Sequence, residues 1–369
     1  MSRHIVLAGS GHANLYTLKR IARLQEAGAT VTVINPDRHL YYSGMAPGYL
    51  SGFYSLDDIR IDVRKITEQA GATFLEQKIV AVDAEAHEVE LDNGQKIKYD
   101  IISFATGSGV TSPTTDDGAT QVHTVKPIAK HPALQLQIMQ EKPENILIVG
   151  GGPAGIEMAG AIRRLCDRHH PGAKVTLVTA GESVLRHFPK RVVRCVVENF
   201  TSRKIKVKTH SPVNHITARM LKLENGDSLS YDVALIATGI QPYPLFTGTT
   251  LPRNTDGSLR VNTHLEVVGH RGVFGGGDCV NFRENPLDRV GVYAIRQGPV
   301  LFDNILRSLT GKPLRHFRPQ KRYLLLFNLG DGNGVFVRNG LVFSGGLPMR
   351  LKDRIDSSFI RDYALQLNE

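Results

Sequence analysis

Short apolar runs and helical patterns alternate twice along this chain of 369 residues. The apolar runs at residues 5–8 and 146–149 each lead into a glycine-rich turn, after which apolar residues recur with helical spacing. A second apolar run follows each helical pattern, at residues 31–34 and 175–178. Strand, tight turn, helix and strand in this order predict two βαβ units within one polypeptide.

The two glycine-rich turns have the spacing that binds a pyrophosphate. HIVLAGSGHAN, residues 4–14, contains Gly9 and Gly11, but Asn14 stands where a third glycine is usual. ILIVGGGPAGIE, residues 146–157, has the full Gly-x-Gly-x-x-Gly spacing. Backbone amides at a helix N-terminus bind phosphate when glycines permit a close approach. The first motif alone is weak, whereas the pair predicts two dinucleotide sites.

A second pair of repeats strengthens this prediction. YDIISFATGS, residues 99–108, and YDVALIATGI, residues 231–240, both indicate a buried strand that ends in Ala-Thr-Gly. Before each lies a segment with an Asn-Gly turn, at 88–97 and 220–229, which favours a hairpin. The repetition indicates an internal duplication of one functional unit.

Composition narrows the class of protein. A hydrophobic content of 41% and a charged content of 22% are ordinary for a globular protein of two to three domains. The net charge of +10 invites anionic partners, but no nucleic-acid-binding motif is present, and the basic stretch 315–322 is favoured as a solvated linker. No leader pattern and no apolar run of membrane-spanning length occurs, so we expect a cytoplasmic protein, or one at the inner face of the membrane.

The spacing of the three cysteines argues against a redox-active cysteine pair. Cys166, Cys195 and Cys279 form no Cys-x-x-Cys or Cys-x-x-x-x-Cys pair, which fits a reducing compartment. We expect no metal site. A small buried residue is favoured over a flavin contact for Cys279.

These motifs, with YSGMAPG (42–48), VFGGGDC (273–279) and GVYAIRQG (291–298), resemble the pyridine nucleotide-disulfide oxidoreductase superfamily, in its type II NADH dehydrogenase-like branch and close to the domain found fused to selenophosphate synthetase. The resemblance implies an α/β fold with two Rossmann-like dinucleotide-binding domains of the three-layer ββα type, one inserted in the other. It implies an FAD-binding domain at 1–110 and 252–315, an NAD(P)H-binding domain at 111–251, and a small C-terminal α+β cap at 316–369.

The same resemblance assigns cofactor contacts. The residues expected at FAD come from both parts of the split domain: Gly9, Gly11, His12, Ala13, Asn35, Ser43, Gly44, Pro47, Val80, Ala105, Thr106, Gly107, Gly277, Asp278 and Val292. Those expected at NADH or NADPH are Gly150, Gly152, Pro153, Ala154, Gly155, Thr179 and Gly239. Glu157, near nicotinamide, and Tyr293, beside a quinone pocket, are the candidate catalytic residues. A helix N-cap for Asp278, a first-turn glutamate for Glu157 and a core tyrosine for Tyr293 are the structural alternatives.

Three positions depart from the family pattern. Asn14 predicts looser packing of helix on strand. Asn35, with Asp37 as the fallback, replaces the acid that usually holds the FAD ribose. Thr179 replaces the corresponding acid for NADH, although Arg186 could favour the 2′-phosphate of NADPH. The choice of reductant therefore stays open.

The resemblance implies a function. We expect an FAD-dependent oxidoreductase that passes two electrons from NAD(P)H to a quinone-like acceptor without a redox-active disulfide. The alternatives are a flavin-loaded redox-sensing or binding protein, or a flavoenzyme acting on a sulfur or selenium compound.

The tail at 350–369 has an apolar helical stripe with Lys352, Arg354 and Arg361 outside it. A membrane surface, a homodimer contact and docking on the parent domain are all open for this stripe, whose members are Leu351, Ile355, Phe359, Tyr363 and Leu367.

Overall fold

The computed structural model describes residues 2–282 and 286–364. Leu367 of the predicted tail stripe lies outside the described residues. Two five-stranded parallel sheets organise the chain. Each sheet is built around one of the predicted βαβ units, so the mixed α/β fold with two Rossmann-like halves is confirmed.

The first sheet holds the first glycine motif. Its strands are, in spatial order, Val273–Gly275, Ile101–Phe104, Arg3–Ala8, Ala29–Asn35 and Thr73–Glu76. The strands flanking Arg3–Ala8 are parallel to it, so the carboxyl ends of the central strands meet at one edge of the sheet. Ligands bind at this edge in doubly wound folds.

Helices and a small antiparallel sheet complete this domain. The helices are His12–Leu18, Ile21–Glu26, Ala46–Leu50, Val63–Gln69 and Gly291–Leu309. The antiparallel layer consists of Ile79–Asp83, Glu88–Leu91 and Lys96–Lys98. Gly94 has a φ of +82°, as the predicted hairpin requires. Two further strand pairs are His39–Tyr41 with Arg60–Asp62, and Leu259–Val261 with Val280–Phe282.

The second sheet repeats the plan around the second glycine motif. Its parallel strands are, in spatial order, Val122–Thr124, Val233–Ile236, Asn145–Val149, Lys174–Val178 and Lys206–Lys208. The helices are His131–Glu141, Pro153–His169 and Lys190–Ser202. The second small sheet joins Thr114–Thr115, Val213–Ile216, Met220–Leu223 and Ser228–Ser230.

Two antiparallel strands, Ser108–Val110 and Ile240–Pro242, connect the halves. Leu245, Phe246 and Leu251 then pack in the core of the first half, so the chain returns to that core before residue 252. Conversely, Ala46 and Leu50 of the short helix in the first half belong to the core of the second. The two halves therefore share a packed junction.

The C-terminal part consists of three antiparallel strands and one helix. The strands are Leu325–Asn328, Gly334–Arg338 and Leu341–Gly345, and the helix is Gly346–Ala364. Ile360 and Tyr363 join the core of the first half, whereas Leu351 and Ile355 are 36% and 44% exposed. The tail stripe is therefore divided: its C-terminal part docks on the parent domain and its N-terminal part faces outward.

Candidate functional site

The first glycine loop turns tightly beneath the carbonyl group of Ala105. Gly9 has a φ of +85°. A Cβ atom on Gly9 or Gly11 would lie 2.7 or 2.3 Å from the Ala105 oxygen, so neither position tolerates a side chain. The first amides of the helix, at His12 and Ala13, have no carbonyl partner within the helix. They are therefore available to a phosphate group.

Asn14 corrects one expectation from the sequence. Its side chain is fully buried, and Nδ2 donates to the carbonyl oxygens of Gly9 at 2.8 Å and Ser103 at 2.9 Å. The Ser103 hydroxyl in turn donates to Asn14 Oδ1 at 2.7 Å. The expectation of looser packing is wrong, because three hydrogen bonds fasten the helix and the loop to the neighbouring strand.

Three buried side-chain atoms around this loop have no hydrogen-bond partner in the described part of the chain: Ser10 Oγ, His12 Nε2 and Thr106 Oγ1. An unpaired buried polar atom costs free energy unless a ligand pairs with it. Gly107, next to Thr106, has a φ of +73°. A glycine-lined turn with unpaired polar atoms fits a polar dinucleotide such as FAD.

Asn35 and Asp37 lie at the end of the adjacent strand. Asn35 Oδ1 accepts the amide hydrogen of Ser10 at 2.9 Å, and Nδ2 donates to the Asp37 carbonyl oxygen at 2.6 Å. Asn35 thus also holds the glycine loop in place. The Asp37 carboxylate is more exposed, which keeps it available as the fallback for the ribose. Val80, at the start of the antiparallel layer, is 46% exposed.

Asp278 lies in a short 3₁₀ turn, Gly277–Cys279, below the same sheet edge. Its Oδ2 accepts hydrogen bonds from the Ser108 hydroxyl at 2.7 Å and from Lys126 Nζ at 2.8 Å. Burial raises the pKa of this carboxyl. The Lys126 ammonium and the hydrogen bonds lower the pKa by more than burial raises it, so the net shift is downward. Asp278 is therefore an anion at neutral pH. The helix N-cap alternative is not what the structure shows, since the turn has no side-chain cap.

The helix Gly291–Leu309 packs on the helix of the first glycine loop. Gln297 Oε1 accepts the amide hydrogen of Gly277 at 2.7 Å and so ties this helix to the turn that holds Asp278. Val292 is half-buried at its first turn. Tyr293 is buried, and its hydroxyl donates to the Gln320 carbonyl oxygen at 3.1 Å. Tyr293 thus has the packing of the core alternative, and it lies in the first turn of this helix.

The loop before the helix Ala46–Leu50 meets the C-terminal helix. Ser43 is exposed and Pro47 is buried. Lys352 Nζ donates to the Gly44 carbonyl oxygen and to Asp356 Oδ2, both at 2.8 Å. Lys352 was expected on the polar face of the helix, but it is only 9% exposed and points into this junction.

Two more groups complete the junction. The Tyr42 hydroxyl donates to Asp356 Oδ1 at 3.0 Å, and the Tyr42 ring stacks on Phe359 with centroids 4.7 Å apart. Glu157 Oε1 accepts the amide hydrogen of Asn328 at 2.8 Å.

The charges at this junction shift one another's pKa values. Burial raises the pKa of Glu157, and Lys352 opposes that shift only in part. Burial lowers the pKa of Lys352, but Asp356 and Glu157 outweigh it and raise the pKa. Lys352 therefore stays an ammonium ion. The loop at Gly44 and the C-terminal helix bond that cation directly, and the helix of the second glycine loop acts on it through the charge of Glu157.

The second glycine loop is tighter than the first. Gly150 has a φ of +127°, and a Cβ atom on Gly155 would lie 1.8 Å from the Gly150 oxygen. Gly152 caps the helix Pro153–His169, which starts with proline, and Pro153 and Ala154 are exposed. Open space at an exposed helix N-terminus favours a phosphate ligand. At the same sheet edge, exposed Gly239 accepts the Thr111 amide hydrogen at 2.8 Å.

Thr179 follows directly on the strand Lys174–Val178. It is 7% exposed, and a Cβ atom on Gly151 would lie 2.5 Å from Thr179 Oγ1. A Cβ atom on Gly181 would lie 3.6 Å from Arg186 Cδ, so the exposed Arg186 lies beside the loop that leaves this strand. A neutral strand end beside an exposed guanidinium is compatible with a ribose that carries a phosphate group.

All three cysteines are free. Burial raises the pKa of Cys166 to about 11 and also raises the pKa of Cys279, so both are thiols at neutral pH. Cys279 is fully buried among core side chains, as expected. No group of three or more metal-ligating side chains occurs within residues 2–282 and 286–364.

Sequence reasoning missed Lys126, Tyr42, Lys352 and Asp356. The spacing of four residues between Lys352 and Asp356 on one helix was a usable signal for an ion pair. For Lys126 no signal exists in the sequence, because its partner lies 152 residues away.

The chain matches the sequence pattern of the family described as pyridine nucleotide-disulphide oxidoreductase over residues 3–298. It is 28% identical over 288 residues to ferroptosis suppressor protein 1 of Taeniopygia guttata, which covers 73% of this chain and 72% of that protein. It is 26% identical to the demethylphylloquinone reductase NdbB of Synechocystis, over 92% of this chain and 88% of the relative.

Solved structures share the fold. NDH2 from Plasmodium falciparum in complex with NADH superposes with a TM-score of 0.80 at 15% identity, over 97% of this chain and 98% of that one. Reduced CoADR-RHD from Bacillus anthracis superposes with a TM-score of 0.78 at 18% identity, over 92% of this chain. This chain spans 62% of the length of that protein, which is less than two thirds.

Proposed function

Since this chain belongs to the pyridine nucleotide-disulphide oxidoreductase family, we propose that it is an FAD-dependent oxidoreductase that passes two electrons from NADH or NADPH to a quinone-like acceptor. The observation that carries the proposal is the convergence at Lys352. The Gly44 carbonyl oxygen, in the FAD-binding half, accepts a hydrogen bond from this buried cation, and the charge of Glu157, on the helix of the second glycine loop, helps to raise its pKa.

The two glycine loops would bind and position the two cofactors. Bound FAD would supply the two-electron chemistry between the reductant and the acceptor. Gly9 and Gly11 admit its pyrophosphate to the helix N-terminus, and Gly150 and Gly155 do the same for NAD(P)H. These residues provide position and orientation, which contribute much of an enzyme's rate when the cofactor performs the reaction.

The proton inventory also supports a quinone-like acceptor. Reduction of a quinone to a quinol consumes two electrons and two protons. Lys352 holds a proton on Nζ at neutral pH, and half-buried Glu157 holds a proton more readily than an exposed glutamate does. The relative NdbB is named a demethylphylloquinone reductase. The three free cysteines leave the proposed path independent of a disulfide.

The test is an anaerobic titration of purified protein. NADH or NADPH should bleach the oxidised flavin absorbance, and a soluble quinone analogue should then restore it. Persistence of the oxidised spectrum with both donors contradicts the dehydrogenase proposal. Rapid bleaching without recovery on adding quinones contradicts the proposed acceptor.

We further propose that the exposed part of the C-terminal helix binds a membrane surface. Leu347, Leu351 and Ile355 are 67%, 36% and 44% exposed at intervals of four residues, and they form one apolar stripe. Arg350 and Arg354, next to them in sequence, are also exposed. Such a face favours an anionic lipid interface. No described helix is long and apolar enough to cross a bilayer.

Truncation before Arg350 would also remove Lys352, so substitutions test this surface better. Leu351→Ser combined with Ile355→Ser should reduce flotation with anionic liposomes, whereas Leu136→Ser, at a leucine 52% exposed on another helix, should not. Equal flotation of all three proteins would reject the membrane proposal. A change in the sedimentation of the lipid-free double variant would indicate a homodimer contact instead.

A further inference from the structure

Lys126 crosses from the second half of the molecule to the first. It follows the edge strand Val122–Thr124 of the second sheet. Its Nζ donates to Asp278 Oδ2 and to the Ser108 hydroxyl, both at 2.8 Å. Asp278 belongs to the half that contains the first glycine loop, and Ser108 begins the strand by which the chain leaves that half. The side chains of Lys126 and Asp278 are 26% and 17% exposed, so water screens this ion pair only in part.

The cluster around Lys126 extends to the first glycine loop. His12 senses the charges of both Asp278 and Lys126. Burial lowers the pKa of His12 to about 4, with Asp278 opposing and Lys126 reinforcing that shift. His12 is therefore neutral, and its Nε2 is one of the buried atoms without a partner among the described residues. Within this cluster Lys126 is the cation and Asp278 is the anion.

The two oxygens of the Asp278 carboxylate have different surroundings. The hydrogen bonds from Ser108 and Lys126 both go to Oδ2, which fixes the rotation of the carboxylate. On the backbone side, Arg289 Nε donates to the Asp278 carbonyl oxygen at 3.1 Å. Carboxylate oxygens accept several hydrogen bonds each, so Oδ1 remains able to accept one from a ligand hydroxyl. Lys126 thus orients the carboxylate through Oδ2 and leaves Oδ1 as the acceptor for a ligand.

Resting on the proposed function, we propose that Lys126 is a positioning residue that the NAD(P)H-binding half contributes to the FAD site. Its ammonium holds Asp278 and Ser108 in the geometry that receives FAD. It also places a fixed positive charge beside the cofactor. A fixed cation stabilises the more electron-rich form of a neighbouring group, so it favours reduced over oxidised flavin. FAD affinity and flavin potential thereby depend on a side chain from the other half.

The test compares Lys126→Met, Lys126→Arg and Lys130→Met. Lys130 is an exposed lysine four residues further along the chain, and it serves as the matched control. We expect Lys126→Met to bind FAD about tenfold more weakly, equivalent to about 1.4 kcal/mol, and to have a more negative flavin midpoint potential. Lys126→Arg should restore most of both properties, and Lys130→Met should match the wild type.

The readouts are the dissociation constant from flavin fluorescence on release, and the potential from equilibration with reference dyes. A residue that only held the two halves together would lower the melting temperature without moving the potential. The inference is overturned if Lys126→Met keeps both the affinity and the potential of the wild type. It is also overturned if Lys126→Arg shows the same losses as Lys126→Met.

Two further measurements protect the test. If Lys126→Met does not fold, Lys126→Met combined with Asp278→Asn removes the unpaired carboxylate. In that pair the loss of FAD affinity should be no larger than in Asp278→Asn alone, because the effect of Lys126 on affinity is exerted through Asp278, whereas its charge acts on the flavin potential. An additive further loss overturns the inference. These measurements need no NAD(P)H. Failure of the wild type to oxidise NAD(P)H would reject the proposed function, whereas the role of Lys126 would still be decided by the FAD affinity and the flavin potential.

Discussion

Asn14→Gly should destabilise the protein, even though glycine is the usual residue at this position of the motif. The change removes the three hydrogen bonds that join Asn14 to Gly9 and Ser103. Each such bond contributes about 1 kcal/mol net, so the loss is about 3 kcal/mol. Fully buried Ser103 would also lose the acceptor of its hydroxyl. The consensus residue is therefore the wrong one in this chain.

Lys65→Gly is the matched control, because Lys65 is an exposed residue in another helix of the same half. Glycine there should cost about 1 kcal/mol through helix propensity alone. The melting temperatures of the two variants without added FAD should differ by a few degrees, since about 1 kcal/mol shifts the midpoint by about 2–4 °C in proteins of about 150–250 residues and by less in a longer chain. A melting temperature for Asn14→Gly equal to or above that of Lys65→Gly would show that the three hydrogen bonds of Asn14 do not stabilise the fold.

Three other substitutions test the electrostatic assignments. His12 is neutral in the folded protein because its pKa is lowered to about 4, so its contribution to stability is complete above pH 6.5 and is lost as the pH falls from 6.5 through 4. His12→Gln should therefore lose less thermal stability than the wild type between pH 7 and pH 4.5, and parallel losses would contradict the assignment. Thr179→Asp should lower kcat/KM for NADPH relative to NADH about tenfold, because a carboxylate accepts the ribose hydroxyl and repels a 2′-phosphate. Arg186→Ala should change the same ratio in the same direction, and an unchanged ratio in both variants would place the ribose elsewhere.

Much of the fold was predictable because its signals are local. Glycine spacing, β-rich runs and Asn-Gly turns specify the two sheets, and the structure has Gly94 and Gly226 at φ values of +82° and +89° as hairpin turns need. The type of the C-terminal part, with strands and one helix, was also predicted. The division between the halves remains a proposal, although Phe246 packs on Phe104 of the first core with ring centroids 5.1 Å apart.

The charged part of the site was much less predictable. Lys126 and Asp278 meet only because the two halves fold against each other, and no periodicity records such a contact. The sequence places Lys352 outside the apolar stripe of the tail, where long charged side chains are usually exposed to water. Burial of Lys352 depends on Asp356 and Glu157 together, and these come from different parts of the chain. Asn14 was misjudged since its partner, Ser103, lies 89 residues away.

If two glycine loops in one chain serve one path of electrons, damage to the second loop alone should stop reduction by NAD(P)H, and Gly155→Ala makes that change. The added methyl group would meet the Gly150 oxygen at 1.8 Å and so distort the second loop, whereas the close contacts of Gly9 and Gly11 are with Ala105 of the first half. We expect Gly155→Ala to retain FAD at the wild-type stoichiometry and to be reduced by dithionite. In rapid mixing under anaerobic conditions, NADH or NADPH should reduce its flavin at least a hundredfold more slowly than in the wild type, since a misplacement of about 1 Å costs about that much. Flavin reduction at the wild-type rate in this variant would contradict the account.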